Sequence, residues 1–109
     1  MDHGDFVTWT TLNFDAEVLT QPGLVLVDFY SENCAPCNQL KRVLTQLSTE
    51  IPSSVRIGTV KVNDSPELAE RFRVRASPTV LFFKGGAIVE TRTGVDRRQV
   101  LKKLIELHA

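Results

Sequence analysis

The segment Leu24–Tyr30 is the strongest constraint on the fold, because it is apolar at every position except Asp28. A strand of this length that is apolar on both sides has to be covered on both faces, as central strands are in α/β proteins. The apolar residues that follow it recur with the period of a helix, and they are Leu40, Val43, Leu44, Leu47 and Ile51. The sequence therefore predicts an α/β fold in which a buried strand leads into a helix that Pro52 ends.

The rest of the chain extends this pattern to the order β-α-β-α-β-α-β-β-α. The other predicted strands are Phe6–Thr10, Val55–Val62, Thr79–Lys84 and Ala87–Arg92. Asn13 and Asp96 are predicted to cap the first and last helices, the latter in a capping box with Gln99, and Trp9 is expected in the core. Alternating strands and helices predict parallel pairing, whereas the last two strands form an antiparallel hairpin. We therefore expect a central mixed β-sheet flanked by helices on both faces.

Length and charge exclude several classes of protein. The chain has 109 residues with 13 basic and 13 acidic side chains, so its net charge is zero. This length predicts one domain spanning 1–109, and zero net charge argues against non-specific nucleic-acid binding. No apolar run approaches the roughly 20 residues of a membrane helix, and the acidic start Met1–Asp5 lacks the features of a secretory signal. We therefore expect a cytoplasmic monomer that binds neither nucleic acid nor membrane.

The only two cysteines, Cys34 and Cys37, lie where the buried strand passes into the helix. Their spacing lets the Cα atoms approach within the roughly 4.4–6.8 Å that a disulfide requires, but closing so short a loop would stabilise the fold by only about 2 kcal/mol. Cys34 lies at the start of the helix, where free amides and the helix dipole favour a thiolate. We therefore predict a redox couple with Cys34 as nucleophile and Cys37 as resolving thiol, while Pro36 stiffens the turn.

The residues alone also allow other roles for the cysteine pair. Zinc usually takes four ligands, and one Cys-x-x-Cys motif supplies two of them. The only histidines, His3 and His108, lie near the termini, so we expect no metal site unless a dimer shares one. A non-enzymatic interaction module with inert thiols is one alternative function, and an oxidase or isomerase that runs the same chemistry is another.

Asp28 is the second chemical signal, because a carboxylate within an apolar strand is costly to bury in its ionised form. Burial is expected to raise the pKa of Asp28. The strand leads toward the cysteines, so Asp28 is expected beneath them. We hypothesise that it transfers a proton to or from Cys37 through water when that thiol attacks. The alternative is a neutral buried group held by a hydrogen bond.

Several segments resemble the thioredoxin family in order and spacing over nearly the whole chain, from about Phe6 to His108. They are Val25–Tyr30, Cys34–Cys37, Pro66–Ala69, Ser77–Thr79, Phe83–Gly86 and Gly94. The resemblance implies the thioredoxin fold and a protein-disulfide reductase that transfers electrons in cell redox homeostasis. It implies disulfide-containing client proteins and an electron donor like thioredoxin reductase as partners, and no cofactor besides the protein's own Cys34–Cys37 disulfide.

The resemblance also implies roles for residues that the pattern alone would leave in loops. Pro78 is expected to follow a cis peptide bond and to pack against the cysteine pair. Ser77 is expected to offer backbone hydrogen bonds to an extended client segment, and Gly94 to keep its loop low enough for a partner to dock. The expected client-binding residues are Asn33, Ala35, Pro36, Ser77, Pro78 and Gly94.

The chain departs from the usual residues of the family around the site. Asn33 stands where a tryptophan usually precedes the first cysteine, and Ala35 stands where a glycine usually follows it. The other departures are Tyr30 for a tryptophan, Thr59 for a buried lysine near the aspartate, and Ser77 for isoleucine, valine or threonine. These changes make the rim of the site more polar. They leave open the reduction potential and whether a standard thioredoxin reductase is the donor.

Overall fold

The computed structural model describes residues 6–109, so the start of the chain and His3 lie outside the described residues. A five-stranded sheet forms its centre. In chain order its strands are β1 (Val7–Thr8), β2 (Leu24–Tyr30), β3 (Arg56–Lys61), β4 (Thr79–Lys84) and β5 (Ala87–Thr93). The helices are a short π-helical segment (Asp15–Leu19), α1 (Ala35–Leu47), α2 (Pro66–Arg71) and α3 (Arg98–His108). The predicted order of elements and the α/β class are confirmed.

The sheet is mixed, as predicted, and its strands lie in the order β1-β3-β2-β4-β5. β3 pairs in parallel with both β1 and β2. β4 is antiparallel to β2 on one side and to β5 on the other. The last ladder is irregular, because Phe82 pairs with Glu90 while Phe83 pairs with Ile88, which leaves Val89 as an extra residue in β5. β2 therefore occupies the centre of the sheet.

The two faces of β2 face two separate cores, which explains its unbroken apolar sequence. Val25, Val27 and Phe29 belong to one core together with the fully buried Trp9. Leu24 and Leu26 belong to the other. Residues of α2 and the π-helical segment join the first core, and residues of α1 and α3 join the second. The predictions of helices on both faces and of a buried Trp9 are confirmed.

The prediction that Asn13 caps the first helix was wrong. That helical segment begins at Asp15, and Phe14 is the residue at its N-terminal boundary. The side-chain Oδ1 of Asn13 instead accepts a hydrogen bond from the backbone N–H of Thr10 at 2.8 Å. Asparagine often bonds to nearby backbone in this way, and the same property makes it both a turn residue and a cap.

The capping box at the last helix was also wrong. α3 begins at Arg98 with Arg97 at its N-cap, one residue after Asp96. The carboxylate of Asp96 accepts two hydrogen bonds from the guanidinium of Arg92, at 2.8 and 3.1 Å. The two parallel bonds to a guanidinium match the geometry of a carboxylate, and they occupy both Asp96 oxygens that the predicted cap would have used.

The remaining differences concern the ends of elements. α1 ends at Leu47 rather than at Pro52, and Ser48 is its C-terminal boundary. Ile51, predicted on the helix, lies in the following turn and still packs against the core. The strands β1 and β3 are shorter than predicted and β5 is one residue longer. None of the helices in the described part of the chain is long and apolar enough to cross a membrane.

Candidate active site

Cys34 and Cys37 form a disulfide at the N-terminus of α1, and their Cα atoms are 5.2 Å apart. Cys34 is the N-cap residue, with an extended backbone, and Ala35 and Pro36 begin the helix. The backbone N–H of Cys37 donates to Sγ of Cys34 at 3.2 Å. An amide of the first helical turn, which has no partner within the helix, therefore points at the sulfur. This geometry favours negative charge on Cys34 after reduction.

The two sulfurs differ in access because the helix turns between them. Cys34 is half-buried, whereas only 1% of Cys37 is exposed. Cys37 shares the buried stripe of α1 with Leu40 and Leu44, the side that packs on the sheet. An external disulfide can therefore reach Sγ of Cys34, whereas the sulfur within reach of Cys37 is that of Cys34.

Asn33 sets the direction of the chain just before the reactive cysteine. It is exposed and has a φ of 53°, in the left-handed region. Asparagine tolerates this region better than most residues with a side chain, and the bulky tryptophan usual at this position is absent. Ala35 and Pro36 are also exposed, so these three residues surround Cys34 on the outside of the molecule.

Pro78 and Gly94 lie together although they are far apart in sequence. The Ser77–Pro78 peptide bond is cis, which confirms the expectation from the family resemblance. The N–H of Gly94 donates to the carbonyl oxygen of Pro78 at 2.9 Å. Gly94 has a φ of +85°, and a Cβ atom built there would meet nothing within 4 Å. The loop thus needs glycine for its backbone and leaves open space above it.

Ser77 reaches Cys34 with two oxygen atoms. Its carbonyl oxygen lies 3.9 Å from Sγ of Cys34, and its hydroxyl oxygen lies 4.0 Å from the same sulfur. The hydroxyl also contacts Oγ of Ser31 at 2.7 Å. Sequence reasoning did not single out Ser31, because nothing in the sequence pairs two serines 46 residues apart.

Asp28 is fully buried, as predicted. Asp28 lies two residues after Leu26 and four after Leu24, so it shares their face of the sheet, the face that carries α1. It is near the C-terminal end of β2, which leads to α1. Thr59 is its in-register neighbour on β3. The hydroxyl of Thr59 lies 3.1 Å from Oγ1 of Thr8 and 3.3 Å from the carbonyl oxygen of Val7. The neighbour of the buried carboxylate on this strand is therefore a neutral hydroxyl.

A polar groove of about 760 Å³ borders Cys34. Lys61 and Glu32 form an ion pair at its edge, with 2.9 Å between Nζ and Oε1. The Lys61 ammonium donates a hydrogen bond to the Glu32 carboxylate, which raises the pKa of Lys61, so this ammonium stays charged throughout the physiological range. Sequence reasoning did not single out this pair. Within residues 6–109, no group of three or more His, Cys, Asp or Glu side chains is arranged to hold a metal ion.

These features define a class of protein. A half-buried sulfur at a helix N-terminus has its disulfide partner buried one turn further on, and a residue preceding a cis-proline lies against it. Such an arrangement exchanges electrons with other disulfides and is that of a thiol–disulfide oxidoreductase. The thioredoxin family model matches residues 5–107. The chain belongs to the thioredoxin family.

Curated relatives support the same assignment over most of the chain. A thioredoxin of Chlamydia caviae is 41% identical over 97 residues, which cover 89% of this chain and 92% of that protein. A thioredoxin of Rickettsia bellii is 33% identical over 92 residues, covering 84% of this chain and 88% of the relative. A thioredoxin of Chlorobaculum thiosulfatiphilum is 32% identical over 105 residues, covering 96% and 97%.

The family and the disulfide together establish the activity. The protein is a protein-disulfide reductase whose redox group is the Cys34–Cys37 pair. Members of this family reduce disulfides in other molecules and are themselves reduced by thioredoxin reductase. The predictions of family, fold and oxidoreductase function are confirmed.

Proposed function

We propose that the reduced protein attacks client disulfides with Cys34 and completes the reaction with Cys37. The Cys34 thiolate forms a bond to one client sulfur, and the client disulfide breaks with release of a client thiolate. The Cys37 thiolate then attacks Sγ of Cys34, which restores the intramolecular disulfide and releases the second client thiolate. Two electrons pass from the pair to the client, and the two client thiolates take up the two protons given up by the pair.

A second disulfide exchange returns the protein to its reduced form. A dithiol donor, of the thioredoxin reductase class, supplies two electrons and two protons to the Cys34–Cys37 disulfide. Neither half of the cycle calls for a metal or an organic cofactor bound to this chain. The observation that carries the proposal is the difference between the cysteines, since Cys34 is half-buried at the helix tip and Cys37 is 1% exposed.

Clients are proposed to bind over the residues that surround Cys34. Asn33, Ala35 and Pro36 are exposed on one side of it. The Gly94–Pro78 hydrogen bond holds the opposite loop in place, and the open space above Gly94 leaves room for a client segment. The proposed client-binding residues are Asn33, Ala35, Pro36, Ser77, Pro78 and Gly94. Pro78 itself is buried, and it contributes through the hydrogen bond between its carbonyl oxygen and Gly94. The polar residues of this set favour extended, hydrogen-bonding client segments over large apolar anchors.

The cytoplasm is the proposed site of action, with the protein working as a monomer. A couple used as a reductant has to be kept reduced, and cytosolic thiol systems do this. One copy of the chain carries both cysteines, so the proposed cycle needs no second subunit.

Reduction of a disulfide-bonded test protein by dithiothreitol measures the proposed function directly. We expect a catalytic amount of this protein to accelerate the reaction many-fold over dithiothreitol alone. A parallel reaction with NADPH and a thioredoxin reductase tests the donor. No acceleration in the first assay would contradict the proposed function, whereas failure of the second alone would contradict only the proposed donor.

Asp28 is proposed to move the proton that Cys37 gives up when it attacks Cys34. Asp28 is buried on the sheet face that carries α1, and Cys37 lies on the side of α1 that packs against that face. A water between them would complete the path. This role concerns only the second step, because Cys34 is activated at the helix N-terminus.

Asp28→Asn is expected to slow release of a preformed mixed disulfide on the order of 10²-fold near neutral pH, because the proton acceptor is lost. The pH dependence of this step should flatten. The measurement is single-turnover release of client from a Cys34-linked mixed disulfide across a pH series. Asp15→Asn, which removes an exposed carboxylate paired with Arg71, is the control and should leave the profile unchanged. An Asp28→Asn profile identical to wild type would rule out proton transfer by Asp28.

A further inference from the structure

The hydroxyl groups of Ser31 and Ser77 form a line that ends at Cys34. Oγ of Ser31 lies 2.7 Å from Oγ of Ser77, which lies 4.0 Å from Sγ of Cys34. Ser31 follows β2 directly, and Pro78 alone separates Ser77 from β4. Neither the family resemblance nor the exchange mechanism described above uses these hydroxyl groups.

The sheet register explains why the two serines meet. β2 and β4 are antiparallel neighbours, and Phe29 pairs with Thr79 at the end of their ladder. Ser31 lies two residues after Phe29, just beyond the end of β2, and Ser77 lies two residues before Thr79, the first residue of β4. Continuing an antiparallel register past its last pair brings such residues opposite each other on the same face. The contact is therefore fixed by the central strands rather than by flexible loops.

The orientation of the two hydroxyl protons determines whether Ser77 can donate a hydrogen bond to Sγ of Cys34. A serine hydroxyl has one proton to donate and two lone pairs to accept with. If Ser77 donates to Ser31, it offers only lone pairs to the sulfur. If Ser31 donates to Ser77, the proton of Ser77 is available to Cys34. A thiolate on Cys34 selects the second arrangement, because hydrogen bonds to a charged acceptor are about twice as strong as neutral ones.

We propose that Ser31 is a positioning residue, which orients the Ser77 hydroxyl as a hydrogen-bond donor to the Cys34 thiolate of the reduced protein. This inference rests on the proposed role of Cys34 as the nucleophile. In the reduced state Cys34 then has two donors from separate elements, the N–H of Cys37 in α1 and the hydroxyl of Ser77 before β4. The backbone N–H of Cys37 is held by the first turn of α1, whereas the orientation of the Ser77 hydroxyl depends on its contact with Ser31.

The line of hydroxyls favours the reduced protein over the oxidised one. The sulfur of a disulfide is a weak acceptor, whereas a thiolate is a strong one, so the donated hydrogen bond strengthens on reduction. Stabilising the thiolate lowers the pH at which Cys34 ionises. It also makes the couple a weaker reductant, because the reduced form of the pair is the one stabilised.

Alanine variants of the two serines separate the positioning role from the donor role. In the reduced protein, the rate of Cys34 alkylation by iodoacetamide against pH reports its ionisation. Equilibration with mixtures of reduced and oxidised glutathione reports the redox equilibrium constant. Ser77→Ala is expected to move the alkylation midpoint to higher pH and to shift the equilibrium about tenfold toward the disulfide, as loss of a hydrogen bond to a charged group predicts.

Ser31→Ala is expected to shift both quantities in the same direction by a smaller factor. In the Ser77→Ala background, Ser31→Ala should change neither, because Ser31 acts only through Ser77. Ser77→Thr keeps a hydroxyl and should restore values close to wild type. Ser48→Ala, which removes a hydroxyl at the far end of α1, is the matched control and should have no effect.

Two results would overturn the proposal. One is a Ser31→Ala protein with the wild-type alkylation midpoint and equilibrium constant. The other is a Ser31→Ala effect that is just as large when Ser77 is already alanine. Loss of stability alone would move the thermal midpoint in all backgrounds but not the alkylation midpoint. If mass spectrometry shows iodoacetamide on Cys37 instead of Cys34 in the wild-type protein, the proposed nucleophile fails, which is a separate outcome.

Discussion

Replacing Cys34 with serine is expected to reduce disulfide reduction to the rate of the chemical reductant alone. A serine hydroxyl is not ionised near neutral pH and does not form a disulfide, so no mixed disulfide can begin the cycle. The remaining Cys37 is 1% exposed and lies inside the first turn of α1, where a client sulfur does not reach it. Reduction of a disulfide-bonded test protein by dithiothreitol, with and without the variant, measures the loss.

Cys37→Ser gives the complementary result, because it blocks only the second step. This variant should accumulate a mixed disulfide between Cys34 and the client, visible on a non-reducing gel and removed by excess dithiothreitol. Normal turnover by Cys37→Ser, or a mixed disulfide formed by Cys34→Ser, would contradict the assigned roles. The Cys34→Ser, Cys37→Ser double variant serves as the folding control. It should remain folded, because the lost bond closes a loop of sequence separation 3 and such short loops contribute only about 2 kcal/mol.

Gly58→Ala is expected to destabilise the protein by about 3 kcal/mol, the largest effect on folding that we predict. Gly58 lies in β3 beneath the indole of Trp9, and an added Cβ would overlap the Cη2, Cζ3 and Cε3 atoms of that ring. Trp9 is fully buried, and its Nε1 donates to Glu17 at 3.1 Å. Both its burial in the core and this hydrogen bond oppose movement of the ring away from an added Cβ atom. Urea unfolding of the reduced proteins measures the change in the free energy of unfolding.

A second substitution tests whether the indole causes the loss. Trp9→Leu removes the overlapping atoms, so its cost should be smaller in the Gly58→Ala background than in the wild type. Gly23→Ala is the matched control, because an added Cβ there would meet only the carbonyl oxygen of Ser54 at 3.3 Å. A Gly58→Ala variant no less stable than Gly23→Ala would refute the packing explanation.

The central part of the fold could be predicted because it rests on repeated patterns. β2 was predicted with its observed bounds, since every position of Leu24–Tyr30 faces one of two cores. β4 was also predicted with its observed bounds. Apart from the ends of α1 and three strands, the errors concern single polar side chains at helix starts. Asn13 and Asp96 each had several possible partners, and the choice depended on groups that tertiary structure brought near them, such as Arg92.

The features of the active site also separate into those that local sequence predicts and those that depend on tertiary structure. The cysteine pair is local in sequence, so spacing and helix position were enough to predict its chemistry. The cis bond before Pro78 was expected from the family resemblance alone, because most bonds before proline are trans. The contact between Ser31 and Ser77 depends on the pairing of β2 with β4. Register of this kind is set by the whole sheet, and no single segment of the sequence contains it.

The two edge strands of the sheet, β1 and β5, affect how readily copies of the chain can associate. An exposed strand edge is a template on which a second molecule can add its own strand, the first step of aggregation. β1 offers only Val7–Thr8, which is too short to hold a partner strand. β5 is longer, but the extra residue Val89 interrupts its ladder, and Glu90 and Arg92 place charges along it. Such a bulge twists an edge away from flat pairing. Both edges of the sheet therefore discourage strand addition, while the exchange chemistry takes place at the end of its central strand.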